Sequence, residues 1–388
     1  MKKRHNAKIY FLLIILITAV MFSNFGSEVT ISQRAIVHAM GIDSSEKGYK
    51  VTLQVFHMSG AGGDTPVDVS QPNVQIITCE GKTVSEALVD ASNQLGKEVF
   101  LGHLRIICFG RGMDFSRPEE LFQFALKDKN IYLGVQLCMS DSTAAEIMNT
   151  QIAWETTSAE ASAKILQINV KNSTTLECQL LDFLSCINMP QNIPMPLIAA
   201  AKTQENEGSE SGGEKDGGSE QGGQQDEQIV VKGTALIKDG RLLEDHLTPE
   251  ESQGAAWLCD KAERGYLVIK HRDENINVKL TKDKTKIRLV NENGRLVYRV
   301  EITVVAHTTV DIRGAEESVQ VAGEVSEKMK SIMSAAENKA LRENKTDIFK
   351  IWTLLRHSFP KSYLEYHDRL DEIYAVTDFD IKLKVRVE

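Results

Sequence analysis

The chain has 388 residues, 42% of them hydrophobic, enough to form two or three domains with real cores. Its formal net charge is −9, but Gln204 to Gln228 holds eight acidic residues against the single Lys215 and so carries −7 of that total. The remainder is close to neutral, which removes the electrostatic ground for binding nucleic acid.

At the amino terminus Lys2, Lys3, Arg4 and Lys8 precede an apolar run from Ile9 to Phe22, which reaches Phe25 across Ser23 and Asn24. The positive charges stay cytoplasmic, so the body after Phe25 is expected outside. The 17 residues from Ile9 to Phe25 span about 26 Å as a helix against a hydrocarbon core of about 30 Å, so length does not separate an anchor from a signal peptide. Cleavage chemistry favours the anchor: Met21/Ser23, Asn24/Gly26 and Phe25/Ser27 each place a large or polar residue where a signal peptidase needs a small one. Residues 1–26 therefore read as an uncleaved transmembrane helix.

Residues 27–140 read as a strand-rich α/β unit, with strands near Arg34 to Ile42, Tyr49 to His57, Val74 to Cys79, Leu104 to Phe109 and Leu133 to Met139. Thr83 and Glu86 form a capping box ahead of apolar Val84, Ala87, Leu88, Ala91 and Leu95 at helical spacing. Pro118, Glu119 and Glu120 suit the first turn of a second helix, with Leu121, Phe122, Ala125 and Leu126 inside. Gly60-Ala61-Gly62-Gly63-Asp64 resembles a phosphate loop only superficially. No Gly-Lys-Ser/Thr follows it, and Pro66 and Pro72 interrupt any helix that could hold phosphate.

Residues 141–203 are expected to be helical up to Asn188, with Ile147, Met148, Ile152, Ile165, Leu166, Ile168, Leu180, Leu181 and Leu184 on apolar faces. Pro190, Pro194 and Pro196 close the unit as an extended strap. The acidic, Gly-rich stretch 204–228 is too polar to bury a core and reads as a disordered linker, or as a loop between halves that pack together.

Residues 229–388 form the C-terminal domain. From Leu296 to Ile312 every second residue is largely apolar, and Phe379, Ile381, Leu383, Val385 and Val387 alternate with Asp378, Asp380, Lys382, Lys384 and Arg386. Such alternation implies an antiparallel sheet with one buried face. Val321 to Arg356 reads as one long or once-bent helix laid across it, with Val325, Met329, Ile332, Met333, Ala336, Ala340, Ile348, Ile351, Trp352 and Leu355 inward. The fold class is α+β, multi-domain, with mixed or antiparallel sheets packed by helices behind the N-terminal span.

Catalytic constellations are not apparent. There is no His-Glu-x-x-His, Gly-x-Ser-x-Gly or Walker loop. Cys79, Cys108, Cys138, Cys178, Cys186 and Cys259 show no C-x-x-C spacing and read as buried thiols, Cys178 and Cys186 being the only nearby pair for a disulfide. His367 and Asp371 could chelate a cation from one helix face but read as a solvated surface with Arg369. Trp257, Trp352 and Tyr363 are expected in the core. No catalytic, cofactor or metal residues are assigned.

Several segments resemble, in family order, the Ger(x)C family of spore germination proteins. They are Ala35-Ile36-Val37 through Gly41-Ile42-Asp43; Glu98 to Arg105 with Gly102-His103-Leu104-Arg105; Gly233-Thr234-Ala235-Leu236-Ile237 through Leu242; and Leu247-Thr248-Pro249-Glu250-Glu251-Ser252-Gln253-Gly254 with Trp257. Nearly the whole chain after residue 30 is covered. The resemblance implies a membrane-associated germinant-receptor subunit on the outer face of the spore inner membrane. Its implied partners are a polytopic transporter-like subunit and a second membrane subunit, with no cofactor and no nucleic acid. Family members commonly carry a lipidated cysteine here, whereas this chain reads Phe22-Ser23-Asn24-Phe25-Gly26, so a transmembrane helix takes the place of the lipid. His103 and Arg105 are the candidate partner-facing residues. An anchored solute-binding protein is the alternative from a different class.

Overall fold

The computed structural model describes residues 11, 13–15, 18, 31–56, 74–150, 158–185, 192–202 and 227–388. Of the N-terminal span only Phe11, Leu13, Ile14, Ile15 and Thr18 are described, all helical. The expected transmembrane helix therefore lies mostly outside the described residues, among which no helix is long and apolar enough to cross a membrane. The Gly60 to Asp64 loop, Cys186 and the expected linker up to residue 226 also fall outside them.

A short 3-10 turn, Ile31–Gln33, leads into β1 (Arg34–Ser45), β2 (Gly48–Phe56) and β3 (Val74–Gly81), which pair antiparallel in sequence. Helix α1 (Val84–Leu95) begins where its cap dictates: Thr83 Oγ1 accepts from the Glu86 N–H at 3.1 Å. Glu86 reaches back one residue further than a capping box requires, accepting from the Lys82 N–H at 2.8 Å. Gly96, in the left-handed region at φ 61°, ends the helix. There follow β4 (Glu98–Phe100), β5 (Ile106–Phe109), the short helices α2 (Pro118–Leu121) and α3 (Gln123–Lys127), and β6 (Gln136–Ser140).

The segment expected to be helical as a block divides into α4 (Ala144–Asn149), α5 (Ser158–Lys171) and α6 (Leu180–Ser185). Between α5 and α6 the backbone runs alongside β6, the Leu137 N–H donating to the Cys178 carbonyl at 2.8 Å. The proline strap is a strand, β7 (Ile193–Lys202). Pro194 and Pro196 are tolerated because β7 pairs with β6 only from Leu197 onward, so the first half needs no donors on that side.

β8 (Glu227–Lys238) then pairs antiparallel with β7 from Lys202/Glu227 to Ile193/Ile237, and β9 (Arg241–Leu247) pairs with β8. Both ends of the acidic stretch thus belong to one hairpin, and β8 and β9, read in sequence as the start of a C-terminal domain, extend the first sheet. Among the described residues that sheet has nine strands, in the order β3-β2-β1-β5-β6-β7-β8-β9 with β4 beside β1. Its central neighbours β1, β5, β6 and β7 are parallel because the chain returns to the same end through helices between them. Both faces are covered, which is why β5 is buried at every residue. Phe109, Phe115, Phe122 and Phe183 interlock on one face, with Phe122 and Phe183 centroids 4.6 Å apart, while Ala144, Ile147 and Met148 pack the other.

After α7 (Pro249–Leu258), strands β10 (Arg264–His271), β11 (Glu274–Glu292) and β12 (Arg295–Thr308) form an antiparallel meander. Helix α8 (Gly314–Glu337) covers it through Val321, Val325, Met329, Ile332 and Met333. The long helix expected to Arg356 stops at a π turn, Asn338–Glu343, and restarts as α9 (Ile351–Ser358). The restart is fixed by buried Asp347, whose carboxylate accepts from the Phe349 and Trp352 N–H groups at 3.0 Å each. Helices α10 (Pro360–Tyr366) and α11 (Leu370–Val376) lead to β13 (Asp378–Val387), which pairs parallel to β12, not antiparallel as its alternation suggests. The cause is the helical crossover from β12, which delivers β13 in the same direction. Trp257, Trp352 and Tyr363 join this core as expected.

Candidate functional site

The segments that carry the family resemblance do two different kinds of work. Gly41-Ile42-Asp43 is a framework. The Asp43 carboxylate accepts from the Ala144 and Ala145 N–H groups at 2.7 and 2.9 Å, holding the N-terminus of α4 where unpaired donors and the helix dipole favour an anion. Gly41 lets the helix approach, since a Cβ there would sit 2.8 Å from Met148 Cγ, and a Cβ on Gly110 would collide with Asp43 itself.

The C-terminal signature is equally structural. Thr248 and Glu251 form a complete capping box on α7, and Glu251 also pairs with Lys339 at 3.2 Å. Burial opposes the Glu251 charge, but hydrogen bonds from Thr248 and Lys339 hold its carboxyl below the usual range. A Cβ on Gly254 would strike the Ile332 carbonyl, so this glycine sets the contact between α7 and α8. Thr234 Oγ1 accepts from the Leu176 N–H at 3.0 Å, and Thr175 donates to the Gly233 carbonyl at 2.8 Å, stitching β8 to the segment before α6.

Gly102-His103-Leu104-Arg105 differs. Leu104 anchors the turn, buried and donating its N–H to Leu101, while His103 and Arg105 are exposed. The Arg105 N–H donates to the His38 carbonyl at 2.9 Å, which places both residues at the amino end of β1. There His38 stacks on Phe56 with centroids 5.5 Å apart and lies 6.4 Å from the His103 ring, which in turn meets Phe100 edge-on at 6.0 Å. The Arg34 guanidinium covers Phe100 at 4.8 Å. Burial pushes the half-buried His38 imidazole below its ordinary range, the charges of His103 and Arg105 push the same way, and Glu160 opposes them.

The result is a basic and aromatic patch made of Arg34, His38, Phe100, His103 and Arg105. Side chains of these types can stack and donate hydrogen bonds. His38 was invisible as a member in sequence because it stands in a strand that reads as core.

Elsewhere, the cation site considered at His367 and Asp371 does not assemble: Asp371 pairs with Lys238 at 3.0 Å and His367 with Asp368 at 3.3 Å. No group of three or more His, Cys, Asp or Glu that could hold a metal occurs among the described residues. Cys79, Cys108, Cys138 and Cys178 are buried, and burial drives the Cys259 thiol up to about 12. A cavity of about 350 Å³ lies where residues of Leu176 to Ser185 and Asn192 to Pro194 meet Cys259, Lys261 and the Asp347 to Thr353 segment.

Two family models match in chain order: the spore germination protein N-terminal domain over residues 27–200, and the spore germination B3/GerAC-like C-terminal domain over residues 232–388. Spore germination protein B3 of Bacillus subtilis (strain 168) is 22% identical over 367 residues, spanning 92% of this chain and 91% of that protein. Spore germination protein KC of the same organism is 22% identical over 373 residues, spanning 88% and 85%. The crystal structure of the GerBC protein aligns with a TM-score of 0.57 at 17% identity, over 90% of this chain and 96% of that one, a likeness of fold.

Proposed function

The chain belongs to the Ger(x)C family of spore germination proteins, and on that premise we propose that it is a non-enzymatic, membrane-anchored, extracytoplasmic subunit of a spore germinant receptor. In this reading it works in the spore inner membrane beside a polytopic transporter-like subunit and a second membrane subunit, and helps turn a nutrient signal into release from dormancy. The observation that carries the reading is coverage: the two family models take up residues 27–200 and 232–388, leaving only the apolar N-terminal segment and the acidic stretch outside them.

The patch at His103 and Arg105 is then the partner-facing surface. It lies at the end of β1 that the chain reaches directly from Phe25, and the nine residues from there to Arg34 span at most about 30 Å. A helix closing at Phe25 keeps this end of the sheet near the membrane, within reach of the outer loops of a membrane subunit. Cationic and aromatic side chains suit acidic loops and backbone carbonyls.

The test is to purify the full-length chain, tagged after Glu388, from detergent-solubilised membranes of sporulating cells and to identify what accompanies it by mass spectrometry. A polytopic transporter-like protein together with an intact Met1 to Gly26 peptide supports the reading; a cleaved chain without companions contradicts it. A second reading, solute binding, has one observation in its favour. The 350 Å³ cavity combines apolar Ile193, Phe349 and Trp352 with charged Glu177, Lys261 and Lys350. Tight binding of an amino acid or sugar in calorimetry would favour it over a scaffold.

A further inference from the structure

We propose that β13 is a self-complementary edge through which two copies of this chain pair, antiparallel and about a twofold axis at Lys382. In the four-stranded sheet β13 is terminal, bonded only to β12. The Glu388 N–H donates to the Ala306 carbonyl at 2.9 Å, so by alternation the even-numbered residues of β13 turn their backbone groups to β12. Phe379, Ile381, Leu383, Val385 and Val387 turn theirs outward to the free edge.

The side chains of those same odd residues are only partly buried, whereas Val300, Val304 and Ala306 on the adjacent strand are 0% exposed. The core is therefore finished at β12 and unfinished at β13. Natural sheets guard a free edge with prolines, bulges, very short strands or charged side chains. β13 has only the charges: it is 10 residues long without proline, and its register with β12 runs unbroken from Val297/Asp378 to Ala306/Val387.

What covers the edge is written in its charges. On the open face the order is Asp378, Asp380, Lys382, Lys384, Arg386, acidic first and basic last. Antiparallel pairing with a second copy sets Asp378 opposite Arg386, Asp380 opposite Lys384 and Lys382 opposite itself. The same register sets Phe379 against Val385 and Ile381 against Leu383 on the core face, and these outward-turned residues supply the backbone hydrogen bonds. Each contact occurs twice except the Lys382 pair, which lies on the axis, as a symmetric dimer requires.

Asp380 already holds Arg299 at 2.6 Å and Lys382 at 3.8 Å, and Arg386 holds Asp283 at 2.8 Å, so the new pairs would join existing networks. Lys384 has no ion-pair partner among the described residues, and the Lys382 pair sets like charges together, which keeps the association reversible. The opposite edge lacks this pattern. β10 carries Arg264, Lys270 and His271 with no acidic residue, so self-pairing there would oppose like charges.

Lys382→Cys in the full-length protein, in native membranes, tests the seam. Residues at a non-hydrogen-bonded antiparallel position have Cα atoms about 4.5 Å apart, inside the range a disulfide accepts. Mild oxidation should give a homodimer whose two copies are joined by a disulfide at the substituted position, seen by mass spectrometry as a cross-link between two identical peptides. Thr303→Cys, on the same face of β12, should give none. Adding Lys384→Asp should abolish most of the cross-link without unfolding the chain, and adding Asp380→Lys to that variant should restore it. Absence of the homodimer, equal cross-linking from Thr303→Cys, insensitivity to charge reversal, or a cross-link to a different protein would each overturn the proposal.

Discussion

Asp43 lies in β1 and Arg105 immediately before β5, the parallel strand beside it, each within a segment the family resemblance rests on, and their surroundings are opposite. Asp43 is 9% exposed, and its carboxylate is spent on the backbone of α4. Arg105 is exposed, and its backbone is engaged by His38 and Gln136. Shared sequence thus has two physical origins here. One segment is held by what the fold needs, while the other leaves the His103 and Arg105 side chains exposed.

The comparison breaks if the buried members prove dispensable. Asp43→Ala leaves two donors at the start of α4 without an acceptor in a closed site, and should lower stability by about 3–4 kcal/mol in urea unfolding. Asp43→Asn, retaining one acceptor, should cost roughly half as much.

Asp347 sharpens the point, because burial raises its carboxyl to about 6 even though backbone donors favour its charge. The folded value lies above the unfolded one of about 3.9, so the proton binds more tightly in the folded state. The associated stability is complete below about pH 4 and is lost as pH rises through about 6, roughly 3 kcal/mol in all. Denaturation midpoints measured from pH 4 to pH 7 should show this decline, and Asp347→Asn should flatten it.

Thr248→Ala, which opens one half of the capping box on α7, should cost about 1 kcal/mol in the same assay. At the small end, His103→Ala and Arg105→Ala should change stability by no more than about 0.5 kcal/mol, since neither side chain is buried. A large loss there would place the patch with the framework.

What sequence made legible follows the range of the interactions. Helix α1 and its Thr83 cap, the alternation of β12 and the inner stripe of α8 are local, and each is found where it was expected. The direction of β13 depends on the crossover helices that precede it. The β7/β8 hairpin closes across the acidic stretch, so a composition break at residue 204 reads as a linker although both flanks share a sheet. The partners of Asp43 are 101 and 102 residues away, beyond any periodic signal. At the candidate site, His103 and Arg105 were singled out through the family resemblance, whereas His38 and Arg34 were hidden within a strand pattern.

The central claim is that the exposed patch, and not the framework, engages the receptor's membrane subunits. Its most direct test is co-purification of the full-length chain from sporulating-cell membranes, comparing the native sequence with a His103→Glu/Arg105→Glu variant of unchanged unfolding midpoint. The account predicts that the native chain brings down a polytopic membrane protein and that the variant loses most of it. Equal recovery by both chains would contradict it.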